Sequence, residues 1–581
     1  MTTPSTRSPW RLFLAGWLII LAGSLLAHLV QTSGGIEIKD VRFTGNNGQT
    51  LSAYLYIPPN ASARTPAPGI LAVHGYINSR ETQSGFAIEL ARRGYVVLAL
   101  DQSGHGYSDA PAFSNGFGGP AALRYLRGLD IVDEDNIGLE GHSMGGWTVL
   151  AAAAAMPDAY KSVVLQGSST GSGMAAPGTP QWPRNVAVVF AQFDEFAPLM
   201  WEVPRGSEVM NSPKLQGLFG AQSAVDVGRV YGDIDAGTAR VLYNPPVTHP
   251  GNHLSHVSIQ HTIDWFAQTL DVDPVEGPST RNRDGQIWFL KEIGTLTALV
   301  GFVVLMVGAM QGLIRLPVFS ALTAGTGPAA AFEQRNRRWW LLALVSAVIP
   351  VATFYPLMGL GAGLIRASSV FPQGISNQVM LWAVVNAVIL TGLGFVVKGR
   401  KVAFAAIGWQ NKGVLALLFA MATVFAGYLA LLVMDFLFQV DFRFWFVGLK
   451  LLSLDQFQMM LVYLLPFTLF FMLSLRALHG GLSVAGDSVR CQYLANAGVM
   501  AGGFIVFLVL QYASLFIGGL LLTPGEPLNT IVMIQFAPLL VMVAVVATSA
   551  WRLTGSYVPG ALVNGLWVSW YIVAGQATQA V

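Results

Sequence analysis

Three residues of this chain have the types and the order needed for acyl transfer: Ser143, Asp194 and one of a group of histidines that begins at His249. Ser143 lies in Gly141-His142-Ser143-Met144-Gly145. Asn136–Glu140, before it, reads as a buried strand. Gly146–Leu150 and the alanines that follow, Ala151–Ala155, read as a helix. A serine at such a strand-to-helix turn is held exposed on a strained backbone, and small neighbours let the turn close. The helix N-terminus also turns N–H groups and a positive dipole end toward developing negative charge.

The partners fall where such chemistry needs them. Asp194 follows the strand-like run Asn185–Phe190, where a carboxylate can accept the Nδ1–H of a histidine and fix its tautomer. Its neighbour Glu195 is the alternative acid. His249, His253, His256 and His261 crowd the stretch after Arg240–Tyr243. A base belongs on the loop that leaves the last strand, which favours His249 and leaves His253 and His256 as alternatives; His261, inside a helix, reads as structural. The first three also have metal-ligand spacing. The serine and the acid already account for a histidine here, so no metal and no organic cofactor are expected. An oxyanion site needs two backbone N–H groups. Met144, next to the serine, supplies one, and Tyr76 in His74-Gly75-Tyr76 the other, with His74 structural. Asp101, His105 and Asp109 read as a hydrogen-bonded loop that shapes the floor of the site.

The elements that must position these residues are legible as well. Residues 36–44 and 50–57 alternate like an antiparallel pair, with a turn at Asn46-Asn47-Gly48. Gly69–Val73, Tyr95–Leu100, Asn136–Glu140, Ser162–Gln166, Asn185–Phe190 and Arg240–Tyr243 are short apolar runs of the kind buried in a parallel sheet. A helix over Thr82–Arg93 lies between the first two. Strand alternating with helix predicts a doubly wound, mostly parallel sheet with its chemistry at the carboxyl ends of the strands.

On His74-Gly75-Tyr76, Arg93-Gly94-Tyr95, Asp101 through Ser108, Gly141–Gly146, Asp194 and His249, the chain resembles the α/β-hydrolase superfamily. The nearest likeness is to its dienelactone hydrolase, prolyl-oligopeptidase-like and serine-aminopeptidase-like groups. The order serine, acid, histidine is that of the superfamily. The resemblance implies an α/β-hydrolase fold and a serine hydrolase; it leaves the substrate open, since esterases, lipases, peptidases and acyltransferases share the fold. Relatives often insert a cap after the sixth strand. Here the Ser-, Gly- and Pro-rich stretch between Gln166 and Asn185 is too short for a helical lid. Met200, Trp201, Leu218 and Phe219, in the longer stretch from Pro198 to Ala239, are the expected lining of an acyl or side-chain pocket.

Composition divides the chain. Of 581 residues, 53% are hydrophobic and only 11% charged, well below the rough quarter of a soluble domain. Residues 1–34 read as a transmembrane signal anchor, with a cleaved signal peptide as the alternative, 35–275 as the hydrolase domain, 276–289 as a linker and 290–581 as a membrane domain. Its spans are expected near 290–313, 339–364, 377–397, 413–437, 452–474, 494–521, 530–550 and 558–578. Arginines and lysines at 7, 11, 315, 335, 337, 338, 398, 400, 401, 412, 476, 490 and 552 fall on one side of these crossings. The positive-inside rule then puts the hydrolase domain on the extracytoplasmic side of a cell membrane. A net charge of +2 gives no sign of nucleic-acid binding, and the lone Cys491 excludes an intrachain disulfide. The tail around Arg552–Gly565 faintly resembles the last segment of CAAX-type intramembrane proteases. The paired glutamates that family needs are absent, and Asn564 stands where a histidine is expected.

These readings converge on a membrane-bound serine hydrolase that acts on an ester, thioester or amide, with an acyl ester or lipid-like substrate favoured. A peptidase or acyltransferase on the same residues is the nearest alternative. A transporter or lipid-handling protein that uses the hydrolase domain for binding is the more distant one.

Overall fold

The computed structural model describes residues 9–272, 285–323, 330–398 and 412–580. The chain forms two units. One is Leu26–Glu292 with Leu510–Pro527 and Gly575–Val581; the other is Met1–Leu25 with Ile293–Val509 and Leu528–Ala574. This departs from a single break near residue 290: two stretches of the C-terminal half join the hydrolase unit. Most of the expected linker, and the basic positions Arg7, Arg400 and Lys401, lie outside the described residues.

After helix α1 (Arg11–Gln31), the first unit is built on a nine-stranded sheet. Its strands are β1 (Glu37–Thr44), β2 (Thr50–Ile57), β3 (Ala67–Val73), β4 (Val96–Asp101), β5 (Val132–His142), β6 (Ser162–Gln166), β7 (Val186–Val189), β8 (Val230–Tyr231) and β9 (Arg240–Tyr243). The order is β1-β2-β4-β3-β5-β6-β7-β9-β8. β2 runs antiparallel to β1 and β4, and β8 antiparallel to β9; the rest, from β4 to β9, are parallel. β3, β4, β6 and β7 are buried throughout, which is why they read as unbroken apolar runs. Helices α2 (Ser84–Ala91), α3 (Gly119–Arg127), α4 (Met144–Ala155), α5 (Ala197–Trp201), α6 (Pro213–Phe219) and α7 (His256–Thr269) belong to this unit. Two cores form, one containing α3, α4, α5 and α6 residues and the other α2 and α7 residues.

Met200, Trp201, Leu218 and Phe219 correct an expectation. They are buried in the first of these cores, each at most 6% exposed. The Pro198–Ala239 stretch winds through α5, a 3-10 turn at Gly206–Asn211 and α6, and this brings its large apolar groups under the sheet. The 167–184 connection contains no helix.

The hydrolase unit also holds the start of the next helix, α8 (Trp288–Leu313). Glu89 Oε1 accepts the N–H groups of Ile287 and Trp288 at 2.7 and 3.0 Å. Arg92 and Arg93 pair with its other oxygen at 2.8 and 2.7 Å. A helix start leaves N–H groups without intrahelical partners, and a carboxylate satisfies them and complements the dipole.

Among the described residues eight helices are long and apolar enough to cross a membrane. A ninth span arises if Arg337–Ala352 and Phe354–Leu364, bent by 41° at Thr353, count as one. Pro350, near that break, removes a helical N–H. Thr353 Oγ1 bonds the Ile349 carbonyl at 2.8 Å and Asn386 Oδ1 at 3.1 Å. Small residues set the contact of α1 with α8: a Cβ on Gly308 would lie 2.1 Å from the Phe13 amide, and one on Gly16 2.5 Å from that of Leu305. Such close backbone approach is how helices associate in lipid. Asn564 donates to the Gly560 carbonyl at 2.8 Å and accepts from Trp567 Nε1 at 2.8 Å, a helix-internal role. Asp441 pairs with Arg443 beside a short hairpin, Phe442–Phe444 with Val447–Leu449.

Glu140 on β5 is fully buried and accepts from Gln83 Nε2 at 2.7 Å. Burial lifts its carboxyl well above the ordinary range, with Gln83 only partly opposing, so burial disfavours the ionised form. A folded-state value above the unfolded one stabilises below the unfolded pKa, and that stability is lost as pH rises through the folded value. Glu140→Gln removes the dependence. Thermal melting of the full chain should find the variant near wild type at pH 5 and roughly 2–4 °C above it at pH 8. An offset equal at both pH values contradicts a Glu140 carboxyl raised by burial.

Candidate active site

Ser143 occupies the link between β5 and α4 with φ +54° and ψ −122°, a conformation that L-residues rarely adopt. Its N–H donates to the Gln166 carbonyl on β6 at 2.8 Å, and its carbonyl accepts from Gly146 at 2.9 Å. The side chain stays part-exposed between buried neighbours. The glycines around it are there because the backbones nearly touch. A Cβ on Gly145 would lie 2.2 Å from the Val73 carbonyl and 2.6 Å from that of His74. One on Gly141 would lie 2.3 Å from the Gly145 carbonyl, and one on Gly75 3.1 Å from Ser143 Cβ. The His74-Gly75-Tyr76 loop therefore passes directly beside the serine, with Tyr76 following at the end of β3. Met144 opens α4.

His249 and Asp194 are together. His249 Nδ1 lies 2.9 Å from Asp194 Oδ2 and 3.1 Å from Oδ1. Asp194, in the loop after β7, is fixed by the N–H of Phe196, 2.9 Å from Oδ1. Both side chains are buried. Burial opposes protonation of His249, but the charge and hydrogen bond of Asp194 outweigh it and raise the imidazole above its usual value. The link to the serine turn runs through His142, whose Nε2 lies 2.9 Å from the His249 carbonyl and whose ring centroid is 4.8 Å from that of His249.

The other histidines make other contacts. His253 packs against His142 with ring centroids 3.9 Å apart and the rings tilted by 50°. His256 lies 5.2 Å from Trp288, and His261 stacks flat on Tyr243 at 4.0 Å. Among the described residues no three His, Cys, Asp or Glu side chains are grouped to hold a metal ion. His74 is buried, with Nε2 accepting the Gln102 N–H at 3.2 Å. Asp101 accepts the N–H of Arg80 at 2.8 Å and that of Tyr107 at 3.1 Å, while Asp109 Oδ2 accepts that of Thr50 at 2.7 Å. His105 Nδ1 bonds the Ser103 carbonyl at 3.0 Å. Arg80 is buried with its guanidinium 3.7 Å from the Tyr54 ring centre and Nη1 2.6 Å from Asp40. A buried cation needs such pairing, and here it pins the loop after β3.

Sequence reading missed three contributors. Thr578 exchanges backbone hydrogen bonds with the 101–112 loop, donating to the Gly104 carbonyl at 2.8 Å and accepting from Ala112 at 2.7 Å. Next to it, Gln579 Nε2 donates to Tyr76 Oη at 2.8 Å. Tyr512 donates to Glu195 Oε1 at 2.9 Å. Each partner is more than 300 positions away in the chain, and no local motif marks such pairs.

The strand order, with β2 antiparallel in an otherwise parallel run and the serine turn leaving the central strand β5, is that of an α/β hydrolase. Residues 68–199 match the sequence profile of the family described as alpha/beta hydrolase fold. Over 105 residues the chain is 32% identical to an uncharacterized protein of Mycobacterium tuberculosis, across 17% of this chain and 28% of that protein. It is 26% identical over 160 residues to dipeptidyl aminopeptidase BIII of Pseudoxanthomonas mexicana, across 24% and 23%. The chain thus spans about a quarter of the length of these curated relatives. Among solved structures it is similar to dienelactone hydrolase from Anabaena variabilis, at 18% identity and a TM-score of 0.28, covering 41% of this chain and 99% of that one.

The backbone approach at Gly145 gives a direct test. Gly145→Ala must separate α4 from the end of β3, at a cost of at least about 2 kcal/mol. Denaturant unfolding of the full chain should show that loss, and wild-type stability would contradict the packing described.

Proposed function

We propose that this protein is a membrane-bound serine hydrolase that cleaves a carboxylic ester through an acyl-enzyme. The observation that carries the reading is the buried His249–Asp194 pair tied, through His142, to the strained turn that presents Ser143. In this reading Ser143 Oγ attacks the carbonyl carbon while His249 Nε2 takes its proton. Asp194 holds the Nδ1–H tautomer and supports the imidazolium that forms. Tyr76 and Met144 N–H groups receive the negative oxygen of the tetrahedral intermediate. Collapse expels the alcohol, which takes the proton from His249, and water then repeats the cycle to release the acid. No step calls for a metal or an organic cofactor.

An ester of an acyl or lipid-like group is the favoured substrate, because a chain with eight apolar helices of spanning length among its described residues works beside lipid. The bias of arginine and lysine among the loops supports a cell-membrane location with the hydrolase unit on the outer side.

Hydrolysis of p-nitrophenyl butyrate by the purified full chain tests the assignment. Ser143→Ala and His249→Ala should each lower kcat/KM by about 10⁴-fold or more. Asp194→Asn should cost a comparable factor, and Glu195→Gln far less. A larger loss in the Glu195 variant would exchange the roles of the two acids. Because the base acts when neutral, activity should rise with pH through an apparent value above 6.5, and Asp194→Asn should move that midpoint down. Cleavage of peptide amides in preference to esters would make the protein a peptidase on the same residues.

A further inference from the structure

Glu195 is a buried carboxyl beside the proposed base, and the mechanism above leaves it unused. It is only 6% exposed. Its Oε2 accepts the backbone N–H of His249 at 2.7 Å, and its Oε1 accepts the hydroxyl of Tyr512 at 2.9 Å. Tyr512 belongs to the 510–527 stretch of the hydrolase unit. That stretch is seated independently: Phe516, one turn further on, packs edge-on against Phe193 at 5.1 Å, and Arg205 lies against Gly519.

We propose that Glu195 and Tyr512 are positioning residues for His249, with the carboxylate holding the backbone of the base and supporting its protonated form while the tyrosine fixes the carboxylate. The inference rests on the serine-hydrolase reading and deepens it, since it gives that site a second acid supplied with a partner from the C-terminal half. Both oxygens of Glu195 are used and each faces a different element, so the side chain is a bridge between the His249 loop and residues 510–518. The titratable groups facing it are Asp194 on its own loop, His249 after β9, and Tyr512. Burial and the neighbouring Asp194 carboxylate push its carboxyl up to about 7, against the opposing pull of His249. Its charge therefore changes near neutrality. The negative form in turn raises the imidazole of His249, acting with Asp194 against burial.

The sign of the effect follows. His249 must be neutral to take a proton from Ser143, so reaction rises with pH through its apparent pKa. A negative Glu195 raises that value, and removing the charge lowers it. Glu195→Gln keeps an oxygen for the His249 N–H and discards the charge. Tyr512→Phe removes a hydrogen bond that favours the ionised carboxyl and leaves the ring in place.

The experiment is the second-order rate of reaction of the purified full chain with a fluorophosphonate probe, measured between pH 5 and 9, with a melting temperature for each variant. The rate–pH midpoint of Glu195→Gln should fall by about half a unit or more. That of Tyr512→Phe should move the same way by less. A purely structural role would lower the rate at every pH and leave the midpoint where it was. Unmoved midpoints in both variants, with wild type reactive, overturn the positioning role alone. An unreactive, folded wild type overturns the serine-hydrolase reading and this inference with it.

Discussion

Ser143 sits where its backbone should not be, and the hydrolase unit is shaped by holding it there. At φ +54° and ψ −122° the turn has no intrinsic preference for the residue it carries. It persists because β5, β6 and α4 leave the chain no alternative path: the Ser143 N–H is taken by β6, and α4 begins against the end of β3 with no space for a methyl group at Gly145. Strain that is over-determined by its surroundings is typical of functional positions. The same packing brings the His74-Gly75-Tyr76 loop beside the serine, so the close approach that closes the turn also delivers the proposed oxyanion donors.

Around that turn, charge is arranged by burial. Glu140, three residues before Ser143, is raised well above the ordinary carboxyl range by burial, and His142 is driven well below its usual value by burial with His253 and His249 nearby. His249, equally buried, is shifted the other way because Asp194 faces it. Neighbouring histidines are thus shifted in opposite directions for one physical reason, the presence or absence of a carboxylate within hydrogen-bond reach. Glu195 lies between these cases, with its neighbours pulling in both directions.

What the sequence disclosed was local. β3, β4, β6 and β7 are buried throughout, so each is a short run of apolar residues bounded by turn-formers, and the loops after β5, β7 and β9 carry Ser143, Asp194 and His249 in chain order. β5 proved longer than its apolar part: Val132 and Asp133 pair with Ala67 and Pro68, and a register shift skips the polar residues Glu134–Asn136 before pairing resumes at Ile137, so no continuous hydrophobic run marks its start. Trp201 and Leu218 looked like pocket residues because apolar side chains in a loop-like stretch carry no mark of whether they face a ligand or a core. The joining of 510–527 and 575–581 to the hydrolase unit was illegible for a related reason. Hydrophobic patterning reports that a helix end is apolar or polar, but Tyr512 and Gln579 make hydrogen bonds to residues hundreds of positions away.

The most direct measurement is the site of covalent capture: reaction of the folded full chain with a fluorophosphonate, digestion, and mass spectrometry of the peptides. A single adduct on Ser143, in the stretch between Arg127 and Lys161, is the result expected of an activated serine at this turn. An adduct on another serine with Ser143 unmodified would contradict it, and would move the chemistry away from the His249–Asp194 pair.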